Sequence, residues 1–291
     1  MHQGHHLCGE PINMASSSAV HSNATNFQSF VQNHVDQRTG QYTLSIDLNA
    51  PTGNDLTGPN LPLRLAFSPF NDEDSGFGKG WDLALTQYVP GSRMLTLHTG
   101  ESYKVTGSGP QPAIQEKKID SFHFHDDSEG DKQQYRVVHK SGLVEILSVY
   151  GDTRPIALPS QVQSPSGHTL TLSYTPDTRR LTRIVDGSGV PLIELDYTEG
   201  LVTVDVHPRA GDDGQPFLRY RLELKNRSLV EVALPPELGG NWRFEYTTAN
   251  GQTSLKKVMT PQGSVERSTT VKMATRAISC PALNPPGRCH G

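Results

Sequence analysis

The chain has 291 residues, of which 34% are hydrophobic and 19% charged, and its formal net charge is −4 with no long run of either sign. A chain of this size buries a substantial core in one large or two smaller domains, and the charge balance excludes nucleic acid or a polybasic membrane contact as the expected partner. No stretch approaches 18 consecutive apolar residues, so no membrane-spanning helix is expected; the three cysteines, Cys8, Cys280 and Cys289, lie in the end segments and cannot staple the body between them.

Residues 1–26 read as a flexible leader rich in His, Gly, Ser and Asn. The start, "MHQGHHLCGEPINMASSSAV", lacks a basic region followed by an apolar run and is not a secretory signal peptide. The expected location is the cytoplasm before any export, with secretion by a signal-peptide-independent route. His2, His5, His6 and Cys8 are metal-binding residue types, but their spacing implies no fixed geometry, and a disordered start explains them.

From Phe27 the pattern changes to strands. In "YTLSIDL", Tyr42, Leu44, Ile46 and Leu48 share one face; in "LPLRLAF", Leu61, Leu63, Leu65 and Phe67 do the same. The intervening "APTGNDLTGPN" is too rich in breakers for a helix. Next comes "NDEDSGFGKGWDL", Asn71 to Leu83. Asp72 and Asp74 suit two positions of a calcium loop, but Gly76 stands where the third ligand belongs and no Glu follows within the loop. A phosphate cradle would need a strand–loop–helix context and a Lys-Ser/Thr pair. The preferred reading is a structural corner: Gly76, Gly78 and Gly80 shape it, Phe77 and Trp81 plug apolar surface beneath it, and the acids stay in solvent.

Downstream, "LHTGESY" and "VVHKSGLVEI" place short glycine-containing turns between alternating runs, which signals hairpins. In "FHFHDD", His123 and His125 share a strand face, with Asp126 and Asp127 beside them; zinc would need a third matched ligand, and an exposed edge with Phe122 and Phe124 turned inward is the simpler reading. No segment keeps an apolar period of 3.6 over three turns, so the expected fold is all-β.

The second half repeats. "VQSPSGHTLTLSY", "IVDGSGVPLIELDY", "VALPPELGGNWRFEY" and "VMTPQGSVERSTT" each join a β-branched residue, a Pro or Asp, a Gly and an alternating strand, and the first three close on Tyr174, Tyr197 and Tyr246. Pro165, Gly167, Gly189, Pro261 and Gly263 mark the turns. "RRLTRI", "RSLVEV" and "TSLKKV" precede three of the units and supply a second strand, giving a repeated hairpin of about 20 residues. One hairpin alone is marginal; stacking them edge to edge continues a single sheet.

These units resemble the YD/RHS repeats of Rhs proteins and of the B and C components of insecticidal toxin complexes. "SGFGKGWDLALTQYV" also resembles the Gly-x-Gly-x-Gly-Trp corner near the start of B-type chains, with "RTGQYTLSIDLNAP" upstream. The resemblance covers about residues 27–267. It implies stacked antiparallel hairpins forming part of a spiralling β-sheet shell that encloses a C-terminal toxin. It divides the chain into the leader 1–26, an N-terminal β region with the glycine-rich corner at 27–155, hairpin repeats at 156–267 and an atypical tail at 268–291. In the tail, Thr270 stands where the spacing of the first repeat would put a tyrosine, and the composition shifts, as in a truncated or frameshifted reading frame.

The function expected is therefore a non-catalytic portion of a toxin-enclosing shell, with no cofactor and no bound metal. Its expected partners are downstream repeats or a toxin domain, secretion-machinery or toxin-complex subunits. The alternative is a carbohydrate-binding module with a glycan partner, using Trp81, Trp242, Tyr220 and Tyr246 as an aromatic platform. A hydrolase has less support: the "GSG" at Gly187–Gly189 is a hairpin turn and no nucleophile elbow, and the cysteines lie away from any held base.

Overall fold

A computed structural model of the chain describes residues 31–36, 41–48, 53, 56–71, 74–115, 117, 119–249 and 252–267. The leader 1–26, the tail 268–291, Asp72 and all three cysteines fall outside them. Among the described residues the protein is all-β, with one short 3-10 turn at Asp212–Gly214 and no α-helix. Among the described residues no helix is long and apolar enough to cross a membrane.

Four strands form a small antiparallel sheet in chain order: β1 (Val31–Asp36), β2 (Gln41–Asp47), β3 (Arg64–Phe67) and β4 (Trp81–Leu83). The alternation explains its register. Leu44 and Ile46 of β2 lie opposite Phe67 and Leu65 of β3, and all four side chains are buried on one face. Leu61 and Leu63 are buried on the extended segment that leads into β3.

The remaining 17 strands belong to one large antiparallel sheet. Its first part is β5 (Gln87–Val89), β6 (Met94–Thr96), β7 (Ser102–Thr106), β8 (Ala113–Ile114), β9 (Phe122–Asp126), β10 (Gln134–His139), β11 (Val144–Tyr150) and β12 (Ile156–Gln163). It continues through β13 (Thr169–Tyr174), β14 (Leu181–Asp186), β15 (Pro191–Thr198), β16 (Leu201–Val206), β17 (Leu218–Lys225) and β18 (Ser228–Ala233). It ends with β19 (Asn241–Ala249), β20 (Gln252–Met259) and β21 (Val265–Arg267). From β9 to β21 every strand pairs with the next, and the ladder of β11 on β12 carries the sheet across residue 155. Strand β12 also meets β5, through Ala157 and Tyr88.

Five hairpins use one turn. In each, a residue's N–H donates to the carbonyl four places on, and a glycine three places on donates back to that residue's carbonyl: Leu97/Gly100, His139/Gly142, Ser164/Gly167, Asp186/Gly189 and Thr260/Gly263. The glycines have φ between +82° and +93°, the left-handed step that a three-residue hairpin loop with a glycine bulge requires. Pro165 and Pro261 follow the first residue of their turns, where a fixed φ favours the bend. They also stack turn upon turn: a Cβ on Gly142 would come within 2.8 Å of Pro165, and one on Gly240 within 2.6 Å of Pro261. The fourth unit forms a hairpin as well. β20 and β21 pair, Val258 with Glu266 and Met259 with Val265, around the same turn. Beyond Arg267 the tail, including Thr270, lies outside the described residues.

Two cores result. The larger joins the inner face of the small sheet, Leu44 through Leu85, to the apolar face of β12–β20, including Val162, Ile184, Val204, Tyr220, Val232 and Phe244. Side chains of the N-terminal strands thus fill the curve of the repeats, and each fully buried Leu, Val or Phe there is worth about 1.5–3 kcal/mol. The smaller core lies under β5–β12: Tyr88, Leu95, Phe122, Phe124, Tyr135 and Leu147 among others.

Candidate functional site

The glycine-rich corner, Asp74 to Trp81, sits where the two sheets meet. Asp74 organises it. Its Oδ1 accepts from the N–H of Gly76 at 3.0 Å and of Gly78 at 3.3 Å, and its Oδ2 pairs with Arg227 Nε at 3.2 Å. Its side chain is 19% exposed. The expectation that the corner's acids stay in solvent is therefore corrected for Asp74: a short carboxylate two residues before a bend is a ready acceptor for the turn's own N–H groups. Asp72 lies outside the described residues.

With the loop so tied, Phe77 and Trp81 point inward and are 1% and 0% exposed. Their partners are the tyrosines that close the repeats. The indole N–H of Trp81 donates to the Tyr246 hydroxyl at 2.7 Å, and the rings of Phe67 and Phe244 stand 5.4 and 5.1 Å from it. Phe77 meets the Tyr197 ring edge-on at 5.7 Å. Tyr174 and Phe77 line the same small gap, about 30 Å³ in volume. Each tyrosine is itself pinned to the preceding strand: Tyr174 to the carbonyl of Pro159 at 2.9 Å, Tyr197 to that of Leu181 at 3.0 Å and Tyr246 to that of Leu229 at 2.5 Å. Burial pushes all three phenols well above their ordinary pKa of 10.0, so they stay protonated donors.

The corner's backbone approaches the repeats closely. A Cβ on Gly76 would come within 2.7 Å of the Tyr197 ring, one on Gly78 within 2.9 Å of the Leu229 nitrogen, and one on Gly80 within 2.5 Å of the Phe67 ring. Lys79 N–H donates to the Arg227 carbonyl at 2.8 Å. Arg227 belongs to the two-residue turn Asn226–Arg227 between β17 and β18, both residues having positive φ, as such hairpins need.

Beside the corner lies a cleft of about 550 Å³ with a mixed lining: polar and charged side chains such as Asn71, Asp82, Gln87 and Arg179 alternate with apolar Val89, Pro155, Ile156 and Leu158. The aromatic residues named for a glycan platform are elsewhere: Trp81, Tyr220 and Trp242 are 0%, 0% and 7% exposed, and Tyr246 is half-buried against Trp81. The platform assignment is corrected on that ground, since rings committed to a core present no face to a sugar.

Among the described residues His123 and His125 do not gather a metal-ligand set. His123 is half exposed, 3.7 Å from Asp120, while Phe122 and Phe124 are the buried members of that strand. A group that sequence spacing did not reveal is His98, His139 and Glu145, whose ligand atoms lie within 4.8 Å of one another. Burial opposes ionisation of Glu145, but hydrogen bonds from His139 and His98, with a smaller part from Thr86, outweigh it and hold the carboxyl down at about 2.

No family profile matches the chain, and no curated protein matches it. Among solved structures it is similar to the N-terminal domain of the effector protein SpvB from Salmonella typhimurium strain LT2, at 16% identity and a TM-score of 0.38, over 76% of this chain and 98% of that one.

Proposed function

We propose that the chain is a non-catalytic structural portion of a β shell of the Rhs or toxin-complex kind, which in a full-length protein encloses a C-terminal toxin. The observation that supports this reading is the seat of the corner. Asp74–Trp81 commits its side chains to holding the repeat sheet: Phe77 on Tyr197, Trp81 on Tyr246, Asp74 on Arg227. In this role the small sheet and its corner plug one end of the curved repeat sheet, and β21 offers its outer edge to the next hairpin. The partners are downstream repeats, a toxin domain, and toxin-complex or secretion-machinery subunits. Co-expression with a chain carrying downstream repeats and a toxin domain tests it: a stable complex in which the toxin resists protease supports the reading, and failure to associate overturns it.

A second reading, glycan binding, has the cleft beside the corner in its favour, because side chains such as Asn71, Gln87 and Arg154 are of types that suit sugar hydroxyls. A glycan array on the purified chain separates the two. Selective binding lost in Gln87→Ala supports the glycan reading, whereas an array without selectivity removes it.

A further inference from the structure

We infer that His98, His139 and Glu145 form a zinc site that ties two hairpin turns to the smaller core. Glu145 is the reason to look there. Strand β11 alternates, and Glu145 stands on the same face as Leu147, directed into the protein; its side chain is 1% exposed. A carboxylate in such a place is costly unless its charge and both oxygens are compensated. Only one oxygen is served by the imidazoles. Oε1 lies 3.2 Å from His98 Nδ1 and 3.2 Å from His139 Nε2, while Oε2 has no hydrogen-bond partner among the described residues.

The separations suit a metal. A tetrahedral zinc with bonds of about 2.0–2.2 Å holds its ligand atoms roughly 3.3 Å apart, close to the two nitrogen–oxygen distances observed. Two imidazoles and a carboxylate are a zinc donor set, and a divalent ion would supply the positive charge that the buried carboxylate calls for. The histidines are 20% and 13% exposed, so the fourth position faces the solvent side and would take water.

The three ligands are delivered by backbone already fixed. His98 follows Leu97 in the turn between β6 and β7, and its N–H donates to the Oγ1 of buried Thr86 at 3.1 Å. His139 opens the same kind of turn between β10 and β11. Zinc would therefore bridge two turns whose histidine rings stand 5.5 Å apart. The role is a staple, distinct from the corner and independent of the shell reading.

The test uses the full chain, purified without a metal-affinity step and stripped with chelator, then titrated with zinc against a chromophoric chelator. We expect one zinc per chain and a higher melting temperature with zinc. His98→Ala, His139→Ala and Glu145→Gln should each weaken binding by roughly 10–100-fold or more. A variant with His2, His5, His6 and Cys8 all replaced by alanine should bind as tightly as the parent. Loss of binding in that variant would place the metal on the leader and overturn the inference, as would absence of one-to-one binding or unchanged affinity in His98→Ala. Should His139→Ala or Glu145→Gln fail to fold, X-ray absorption on the unaltered zinc complex decides: two imidazoles and a carboxylate around zinc support the site, and any other donor set overturns it.

Discussion

Removing the Trp81 side chain should cost the protein about 3–5 kcal/mol, the range for deleting a large aromatic ring from a packed core. Trp81 is fully buried, with Phe67 and Phe244 about its ring, so the cavity has little means of collapse. The polar part of the contact can be read separately. Tyr246→Phe removes the acceptor of the indole N–H and leaves that donor buried, at about 1–3 kcal/mol. In a Trp81→Ala background the same tyrosine change should cost less, because no orphaned N–H remains. Urea denaturation of the parent, both single variants and the double variant gives the cycle, provided the slopes stay equal. Trp81→Ala within about 0.5 kcal/mol of the parent would mean that the corner is not seated on the repeats. Strict additivity of the two changes would mean that Trp81 and Tyr246 do not interact.

Two glycines with the same backbone should respond differently to alanine. Gly167 has φ +86° with open space around it and should lose about 1–2 kcal/mol, whereas Gly80 at φ +88° faces the Phe67 ring and should lose clearly more; equal losses would refute the close approach. Calcium added to the metal-free protein should leave the melting temperature unchanged, where a site filled at 100 times its dissociation constant would add about 2.7 kcal/mol. Asp74→Ala should destabilise by about 1–3 kcal/mol with or without calcium, since it strips the acceptor from two turn N–H groups. The raised phenols of Tyr174, Tyr197 and Tyr246 favour the protonated form in the fold, so their contribution is fully present below pH 10.0 and is lost as pH rises beyond it. Each should add about 1.4 kcal/mol per pH unit to the alkaline slope, and Tyr246→Phe should flatten that slope; an unchanged slope would contradict the burial of this hydroxyl.

Many strands were legible because one face is buried, which forces a period of two: Leu44 with Ile46, Leu65 with Phe67, Leu170 with Leu172. The turns were legible for a local reason too, as a glycine three places past the turn's first residue is visible in five short stretches. What the corner does was less so. Asp74 meets Arg227 across 153 residues and Trp81 meets Tyr246 across 165, and no local pattern encodes partners at that range. The same limit leaves Trp81, Tyr220, Trp242 and Tyr246 open between core and surface platform in the sequence: a ring is equally suited to sugar and to core until its neighbours are known. His98, His139 and Glu145 escaped notice because they come from two separate turns and an ordinary strand, while the closely spaced His123 and His125 drew attention and are not gathered into a site.

Hydrogen exchange across β20 and β21 tests the central claim most directly. Among the described residues the ladder of β21 is to β20 alone, and its Val265, Glu266 and Arg267 are all exposed, as an edge of a repeat sheet would be. The account predicts that the amides of Val265–Arg267 exchange quickly in the isolated chain, and that a chain bearing the downstream hairpins protects them when added in trans. It predicts self-association of the isolated chain with rising concentration as well, because an unpaired edge templates another strand. Firm protection of β21 in a chain that stays monomeric at every concentration, with no further change on adding the downstream hairpins, would contradict it and leave a self-contained β domain.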